Sequence, residues 1–326
     1  MTTALVTGVG GQDGIWLARR LVAEGCRVVG TVRPDWRSPR AVYLGGVDLV
    51  ELDVCDGAAM DDLVRTIRPD EVYQLAGMTS VADSWRNPDL VIDVNDRAVE
   101  RLLASCRAHV PEGRVFLASS AEVFGPDVVG RCSERTPLDP RSPYAESKAR
   151  VHEHAISARN LGQFVALGVL FNHESQIRGT SFVTRKISQA VASIVCGGTE
   201  RLVLGNLDVS RDWGAAADAV DAMVRMVRAD EPRVVIVGTG VLRTVRELVE
   251  AAAAAGGLDD PWSHVTQDAS LMRTKDTPGA LADTTMATEW LGWSPSISFA
   301  DLIATMVTTD VRRIESGVEE SPDYLR

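Results

Sequence analysis

The turn between the first predicted strand and the first predicted helix constrains the fold of this chain more than any other segment. Residues 4–7 form a short apolar run, and residues 15–24 have helical periodicity. Gly8, Gly11 and Gly14 lie between these two segments. In this context the first glycine allows a tight turn, the second lets a pyrophosphate approach the backbone, and the third lets helix and strand pack closely. The spacing therefore predicts a dinucleotide site at the helix N-terminus.

Short apolar runs and longer helical patterns alternate over the first half of the chain. The predicted strands cover residues 4–7, 28–32, 47–52, 71–75, 115–119 and 165–170. This alternation is typical of βαβ units and a parallel sheet. We therefore expect an α/β fold with a Rossmann-type doubly wound parallel sheet and a smaller C-terminal α/β substrate-binding lobe. Residues 1–170 are expected to form the cofactor-binding domain, with later segments returning to it, and residues 171–326 mainly the substrate-binding lobe.

The second half has a looser pattern, from which fewer elements are predicted. Helices are expected at residues 182–195, 215–228, 246–255, 283–291 and 299–314, and strands at residues 201–204 and 234–237. Residues 256–278 mix Gly, Pro, Asp and Thr without periodicity and predict no regular element.

The bulk properties exclude several classes of protein. A formal net charge of -11 at pH 7 argues against nucleic-acid partners, because phosphate binding needs a basic face. The 5 cysteines form no CxxC pair, so neither a disulfide framework nor a zinc site is indicated. No apolar run reaches the roughly 18 residues of a membrane span, and no signal-peptide pattern is present. We expect a cytoplasmic protein with no membrane partner.

The end of the second predicted strand indicates which dinucleotide is bound. An NAD enzyme typically has a carboxylate here, whereas this chain has Arg33, followed by Arg37 and Arg40. Guanidinium groups at this place favour NADP over NAD. The competing interpretation is a solvated charged loop, since nearly all basic residues of this chain are arginine. By position in the fold, the further cofactor contacts are expected to be Gln12, Asp13, Asp53, Val54, Leu75, Ala76 and Gly77.

Four residues predict the chemistry. Tyr144 and Lys148 are one helical turn apart, so the ammonium can lower the pKa of the phenol and hold the ribose of a nicotinamide. Ser120 ends the fifth strand, where its hydroxyl can bond the alcohol being oxidised. Glu122 adds a base, which is needed to remove a proton from the carbon beside a transient ketone. The competing interpretations are a cap residue for Ser120 and a surface carboxylate for Glu122. No histidine has metal-ligand spacing, so no metal is expected.

Beyond these motifs, the sequence resembles the GDP-mannose 4,6-dehydratase family over nearly the whole chain. The segments that carry the resemblance are residues 7–14 with GQDG, residues 142–148 with SPY and the lysine, residues 170–187 with LFNHES and SFVTRKI, and residues 204–214 with LGNLD and RDWG. The chain departs from the family at Ser120 (usually threonine), Ala121 (usually serine), Phe124 (usually tyrosine), Ser80 (usually histidine) and Pro34, which interrupts a pair of arginines.

The resemblance implies an internal redox cycle that converts GDP-D-mannose to GDP-4-keto-6-deoxy-D-mannose. Tyr144 would take the O4 proton while a hydride leaves C4 for NADP, Glu122 would remove the C5 proton, water would leave C6, and the hydride would return to C6. One alternative is another GDP-hexose-modifying enzyme, such as an epimerase, with the same Tyr, Lys and Glu machinery. The other alternative is a non-catalytic module that binds NADP and a GDP-sugar.

The resemblance also implies further contacts and an assembly. His173 and Arg178 would contact the cofactor, and the protein would be a homodimer or homotetramer, in which residues 33–40 could reach a neighbouring cofactor site. The substrate-binding residues implied in this way are Ser84, Asn172, Val183, Lys186, Gly205, Asn206, Arg211 and Arg273.

Overall fold

The computed structural model describes residues 1–128, 130–199, 201–271 and 279–325. Its strands are β1 (Thr3–Thr7), β2 (Arg27–Val32), β3 (Val47–Glu51), β4 (Glu71–Gln74), β5 (Arg114–Ser120), β6 (Arg131–Cys132), β7 (Phe164–Leu170), β8 (Asn172–Glu174), β9 (Leu202–Leu204), β10 (Ser210–Ala215), β11 (Val234–Val237), β12 (Leu242–Thr244), β13 (Val265–Gln267) and β14 (Leu281–Ala282).

The α-helices are α1 (Gln12–Ala23), α2 (Gly57–Ile67), α3 (Val81–Arg86), α4 (Pro88–Ile92), α5 (Ala98–His109), α6 (Pro143–Asn160), α7 (Val183–Val195), α8 (Ala216–Arg228), α9 (Val245–Gly256), α10 (Thr285–Glu289) and α11 (Phe299–Ser316). A π-helical turn, Asp93–Arg97, joins α4 to α5. Single 3-10 turns occur at Pro39–Tyr43, Ala121–Phe124, Pro261–His264, Ala269–Leu271 and Pro322–Leu325.

One parallel sheet organises the molecule. Within the described residues it has 7 strands in the order β3-β2-β1-β4-β5-β7-β11. Val6 of β1 lies opposite Gly30 of β2 on one side and Tyr73 of β4 on the other. The strand order reverses between β1 and β4, and in such sheets a crevice opens at the carboxyl ends of the strands at that point. The predicted Rossmann-type doubly wound sheet is confirmed.

Helices cover both faces of the sheet. Successive side chains of a strand point to opposite faces, so Val6 and Phe116 pack against α1 and α8. Leu5 and Leu117, the neighbours of these residues in the chain, pack against α2, α5 and α6. Burial on both faces explains why these strands read as continuous apolar runs in the sequence.

The chain after β7 builds a second layer of structure at the carboxyl ends of the strands. Strands β8, β10 and β12 form a small sheet, β9 pairs with β13, and β6 pairs with β14. Helices α7, α9 and α11 share a core that contains Ile187, Leu248 and Met306. Strand β11 returns to the edge of the large sheet, beside β7. No helix in the described part of the chain is long and apolar enough to cross a membrane.

Candidate active site

The glycine turn after β1 is shaped by close contact with the end of β4. Gly8 has φ of 70°, and a Cβ there would lie 2.7 Å from Cα of Ala76. A Cβ on Gly14 would lie 2.6 Å from the carbonyl oxygen of Gly8. The Thr7 hydroxyl accepts 3.2 Å hydrogen bonds from the amides of Leu75 and Ala76, which joins the two strand ends. The N-terminus of α1 therefore faces the crevice, where its free amides can bind an anion.

The first turn of α1 is tied to the segment that follows β7. The side-chain nitrogen Nε2 of Gln12 donates to the carbonyl oxygen of His173 at 3.0 Å and to Oδ1 of Asp13 at 3.2 Å. The hydroxyl of Ser175 donates to Oε1 of Gln12 at 2.9 Å. These contacts place Gln12, Asp13 and His173, all predicted cofactor contacts, in one cluster.

His173 and Asp13 form a buried ion pair within this cluster. Nε2 of the imidazole lies 2.9 Å from Oδ2 of Asp13, and Nδ1 donates to the carbonyl of Phe171 at 2.7 Å. Burial alone would lower the pKa of His173, but the charge and hydrogen bond of Asp13 raise it above its ordinary value. Burial likewise opposes ionisation of Asp13, yet His173 lowers the pKa of that carboxyl. Because both ring nitrogens face acceptors, the geometry favours the charged imidazolium.

Arg178 lies near His173 and contacts an acid and an aromatic ring. Nε of Arg178 is 3.0 Å from Oε2 of Glu174, which also accepts a 2.7 Å hydrogen bond from Thr184. The guanidinium carbon lies 3.6 Å from the centre of the Phe182 ring, a cation–π contact. Its positive charge lowers the pKa of Tyr144, so Arg178 also acts on a predicted catalytic residue.

Tyr144 and Lys148 project from the first turns of α6 into the same buried space. The helix begins at Pro143, and Ser142 caps it by accepting a 3.1 Å hydrogen bond from the amide of Ala145. Burial raises the pKa of Tyr144 to about 12, although its hydrogen bond with Ser120 acts in the opposite direction. Burial also lowers the pKa of Lys148 to about 8. The two shifts move the pKa values apart, because burial disfavours the charged form of each side chain.

The end of β5 supplies the other two predicted catalytic residues. Ser120 contacts Tyr144 through its hydroxyl and caps the 3-10 turn by accepting a hydrogen bond from the amide of Glu122 at 3.3 Å. The capping interpretation of Ser120 is therefore confirmed, and its catalytic role stays a prediction that the contact with Tyr144 is consistent with. Glu122 is exposed, and its negative charge raises the pKa of Tyr144. A solvent-accessible carboxylate beside the phenol is in a position to act on a substrate that enters from the crevice.

The backbone of β5 also orients the lysine. Nζ of Lys148 donates to the carbonyl oxygen of Ala118 at 2.8 Å. A Cβ on Gly77 would lie 3.8 Å from the same Nζ and 3.1 Å from Oδ1 of Asn95. The ammonium thus lies between β5 and the segment after β4, where the ribose of a nicotinamide is expected.

Asn95 is a site residue that the sequence patterns did not reveal. Its side chain, fully buried in the π-helical turn, accepts from the amide of Met78 at 2.8 Å and donates to the carbonyl of Met78 at 3.0 Å. It also donates to the hydroxyl of Ser147 at 3.2 Å. Asn95 thereby fixes the segment after Gly77 against α6. The only sequence signal is an asparagine inside a helical pattern, which is too common to single out.

The loop after β2 uses two of its three arginines for contacts within the chain. Arg37 pairs with Glu51 at 2.9 Å, and Nε of Arg40 lies 3.4 Å from Glu320. Arg33 is exposed, and its side chain has no hydrogen bond or ion pair within the part of the chain that the structure describes. Arg33 is therefore the arginine of this loop that is free to meet an anion.

The remaining residues predicted to contact the cofactor or the substrate near the large sheet differ in how accessible they are. Asp53 is exposed and accepts from the amide of Cys55 at 2.9 Å, and Val54 packs at the edge of the core. Ser84 is fully buried and donates to the carbonyl of Val81 at 2.7 Å. The hydroxyl of Ser84 is therefore already used within α3.

Apart from Ser84, the predicted substrate-binding residues that the structure describes lie on the second layer. Asn172 of β8 is exposed and lies opposite Trp213 of β10, two residues beyond Arg211. The guanidinium of Arg211 donates to its neighbouring carbonyl, Ser210, at 2.7 Å. The pairing of β8 with β10 brings Asn172 and the start of β10 to one edge of the crevice.

Two further segments complete this layer. Val183 begins α7, and Lys186, exposed on the same helix, donates to the carbonyl of Val203 at 2.6 Å. Gly205 follows β9, where a Cβ would lie 2.8 Å from the carbonyl oxygen of Leu271, and Asn206 caps the next turn by accepting from the amide of Asp208. Arg273 lies outside the described residues.

Comparisons with known proteins agree on one family. A sequence model described as GDP-mannose 4,6 dehydratase matches residues 5–306. The chain is 37% identical to GDP-mannose 4,6 dehydratase 1 of Arabidopsis thaliana, over 94% of this chain and 89% of that protein. It is 33% identical to the human GDP-mannose 4,6 dehydratase, over 96% and 92%. A dTDP-glucose 4,6-dehydratase from Streptomyces venezuelae has a similar solved structure, with a TM-score of 0.84, 25% identity and 98% and 99% coverage.

Proposed function

This chain belongs to the GDP-mannose 4,6-dehydratase family, and we propose that it converts GDP-D-mannose to GDP-4-keto-6-deoxy-D-mannose and water. The observation that carries the proposal is the placement of Ser120, Tyr144, Lys148 and Glu122 at one edge of the crevice, beside the glycine turn. The first three suffice for oxidation of an alcohol, and the carboxylate supplies the additional base that elimination requires.

We propose NADP as the cofactor, because the residues present fit it. The amides at the start of α1, from Gly11 onward, suit a pyrophosphate, and Arg33 follows β2 with its guanidinium uncommitted. Lys148 would hold the nicotinamide ribose, and the charged pair of Asp13 and His173 would fix the far wall of the site. When bound, NADP supplies a hydride acceptor at C4 of the sugar and returns that hydride to C6, so no net oxidant is consumed.

Proton transfer at O4 falls to Tyr144. Ser120 hydrogen-bonds to the phenol and orients it, and this hydrogen bond and the positive charge of Arg178 both favour the phenolate. The proton on O4 passes to the phenolate oxygen as the C4–O4 bond becomes a carbonyl. Because Tyr144 is buried, bulk water cannot compete for this proton.

Proton transfer at C5 falls to Glu122. Once C4 is a ketone, the C5 proton is acidic, and the Glu122 carboxylate would remove it and pass it to the C6 hydroxyl, which leaves as water. When hydride is delivered to C6, the proton that Tyr144 took from O4 would go to C5, which restores both residues to their starting states. The balance is therefore loss of one water and no change in the cofactor.

The matched variants Glu122→Gln and Glu153→Gln test this assignment. Glu153 is an exposed carboxylate on α6, away from the crevice. We expect Glu122→Gln to keep its affinity for NADP but to lose water elimination by roughly 10²–10⁴-fold, the usual contribution of a general base. Glu153→Gln should behave as the wild type. Unchanged turnover in Glu122→Gln would overturn the role of this carboxylate, and a product that retains its water would favour an epimerase.

We further propose that the enzyme acts in the cytoplasm as a homodimer or homotetramer. Its five cysteines are all unpaired, as expected for a reducing compartment. Arg40 is bonded to Glu320 of its own chain, so a contact of this arginine with a neighbouring subunit would have to break that bond. Light scattering of the purified protein measures the assembly directly, and a monomer would contradict the proposal.

A further inference from the structure

The loop after β2, residues 33–43, is fixed to the glycine turn by a tryptophan. A Cβ on Gly10 would lie 2.7 Å from Cζ2 of Trp36, so the indole packs directly against the Gly10 backbone. The amide of Trp36 donates to the carbonyl of Arg33 at 3.0 Å, which closes a tight turn. Arg33 and Trp36 are therefore the two ends of one turn, and the position of the indole sets the position of Arg33.

This turn has an unfavourable backbone that requires support. Asp35 has φ of 58°, a left-handed conformation that costs energy in a residue other than glycine. Its amide is held by Glu51 at 3.3 Å, and Glu51 also pairs with Arg37. Both partners in this second anchor are exposed, so it contributes little on its own. The packing of Trp36 is the stronger restraint.

A third anchor comes from the C-terminal segment. Glu320, with a side chain only 7% exposed, accepts from the hydroxyl of Tyr43 at 2.7 Å and from Arg313 at 2.7 Å, and lies 3.4 Å from Arg40. A buried carboxylate with three donors is a strong restraint. The loop is thus held at its far end by residues almost 280 positions away in the chain.

We propose that Trp36 and Glu320 are positioning residues that hold the 33–43 loop so that Arg33 meets the 2′-phosphate of NADP. Since Arg37 and Arg40 already have acidic partners, Arg33 alone among the three provides an uncommitted guanidinium. A guanidinium gains most from a phosphate when its backbone is fixed beforehand. The inference rests on the proposed cofactor and adds to it the residues that set its selectivity.

This role differs measurably from a purely structural one. NAD lacks the 2′-phosphate, so a displaced Arg33 weakens binding of NADP and leaves binding of NAD nearly unchanged. General damage to the glycine turn weakens both dinucleotides together. The ratio of the two dissociation constants therefore reports on the position of Arg33, independently of turnover.

Calorimetric dissociation constants for NADP and NAD should be measured for Trp36→Ser, Trp36→Phe and Glu320→Gln. The matched controls are Trp85→Ser, at an exposed tryptophan, and Glu319→Gln, at the exposed neighbour of Glu320. We expect Trp36→Ser and Glu320→Gln to weaken NADP by about tenfold or more, the value of one charge-assisted hydrogen bond, and NAD by less than about threefold. Trp36→Phe and both controls should stay close to the wild type.

Each outcome decides the inference. Equal weakening of NADP and NAD, or no weakening of NADP, in Trp36→Ser and Glu320→Gln would overturn it while leaving the proposed cofactor intact. A wild-type protein that binds NADP no tighter than NAD would overturn the proposed cofactor and the inference with it. If Trp36→Ser does not fold, Glu320→Gln carries the same test at the other end of the loop.

Discussion

Lys148, a proposed catalytic residue, carries a buried charge that we expect to lower the stability of the fold. Lys148 is only 6% exposed, and the one described hydrogen bond of its ammonium goes to the carbonyl of Ala118. A positive charge in such surroundings is poorly solvated, which is why burial lowers the pKa of Lys148 to about 8. The same charge is the one that we propose holds the nicotinamide ribose. Function and stability therefore oppose each other at this residue.

We predict that Lys148→Met stabilises the cofactor-free protein at pH 7 while it abolishes turnover. Replacing the poorly solvated charge should raise the free energy of unfolding by about 1–3 kcal/mol, partly offset by the loss of the bond to Ala118. Lys186→Met, at an exposed lysine, should change it by less than about 0.5 kcal/mol. Urea unfolding measures both. A Lys148→Met protein less stable than the wild type would contradict this assignment of the burial cost.

The effect of this substitution should depend on pH in a defined direction. Lys148 has a folded pKa of about 8, below its ordinary value of 10.5, so between these values the unfolded chain binds more protons than the folded one. Wild-type stability therefore rises across this window relative to Lys148→Met. We expect the stability difference between the two proteins to be largest below pH 8 and to shrink toward pH 10.5. A difference that grows with pH would have the wrong sign.

Site residues could be predicted from the sequence where both partners lie within one turn of the same helix. The Tyr144 and Lys148 spacing is such a case. The ion pair of Asp13 with His173 and the contact of Trp36 with Gly10 were not predicted as contacts, because their partners meet only through the tertiary fold. The functions assigned to the individual site residues stay predictions until variants are measured.

The β1–α1 element depends on the absence of one side chain. Gly14 faces the carbonyl of Gly8 and Cα of Val9, each 2.6 Å from a Cβ built at that glycine. Both neighbours are backbone atoms, so neither can move without displacing the turn. In contrast, a Cβ on Gly45 would meet no atom within 4 Å.

We therefore predict opposite behaviour for Gly14→Ala and Gly45→Ala. Gly14→Ala should destabilise the protein by about 1–3 kcal/mol through overpacking, and should weaken NADP binding because the start of α1 is pushed from the crevice. Gly45→Ala should fall within about 0.5 kcal/mol of the wild type or slightly above it. Thermal unfolding and NADP titration test the pair. Normal NADP affinity in Gly14→Ala would contradict the close packing of β1 and α1.

At the scale of elements, length and pattern determined what could be predicted. The six strands predicted in the first half, the later strands at 201–204 and 234–237 and the five predicted later helices are all present, with ends shifted by a few residues at most sites. The strands β6, β8, β10, β12, β13 and β14 were not predicted. All except β10 have only two or three residues, too few for a periodic pattern, and each of the six pairs with a segment distant in the chain.

At the scale of the molecule, a buried ion pair joins α7 to α11. Arg185 and Asp310, at 4% and 3% side-chain exposure, are 2.6 Å apart, and Ser188 and Arg313 also donate to the same carboxylate. Arg185 further donates to the backbone carbonyl of Gln176. The pair therefore connects the second layer to the segment that carries the proposed cofactor contacts.

We predict that Arg185→Met costs about 3–5 kcal/mol of stability, because it leaves a buried carboxylate without its bidentate partner. The double variant Arg185→Met with Asp310→Leu should cost clearly less than the sum of the single changes, since no unpaired charge then remains. Arg86→Met, in an exposed pair with Asp83, should cost less than about 1 kcal/mol. Guanidinium unfolding of the four proteins gives the coupling. Additive costs would show that the pair is not coupled.

We propose that this crevice eliminates water from a GDP-hexose by an internal redox cycle. Incubation of the purified protein with GDP-mannose and NADP in deuterated water tests it most directly, with the sugar followed by mass spectrometry and proton NMR. We predict a product that has lost one water and carries deuterium at C5 and none at C6, because the C6 hydrogen comes from C4. Deuterium uptake without loss of water, or an unchanged sugar, would contradict the account.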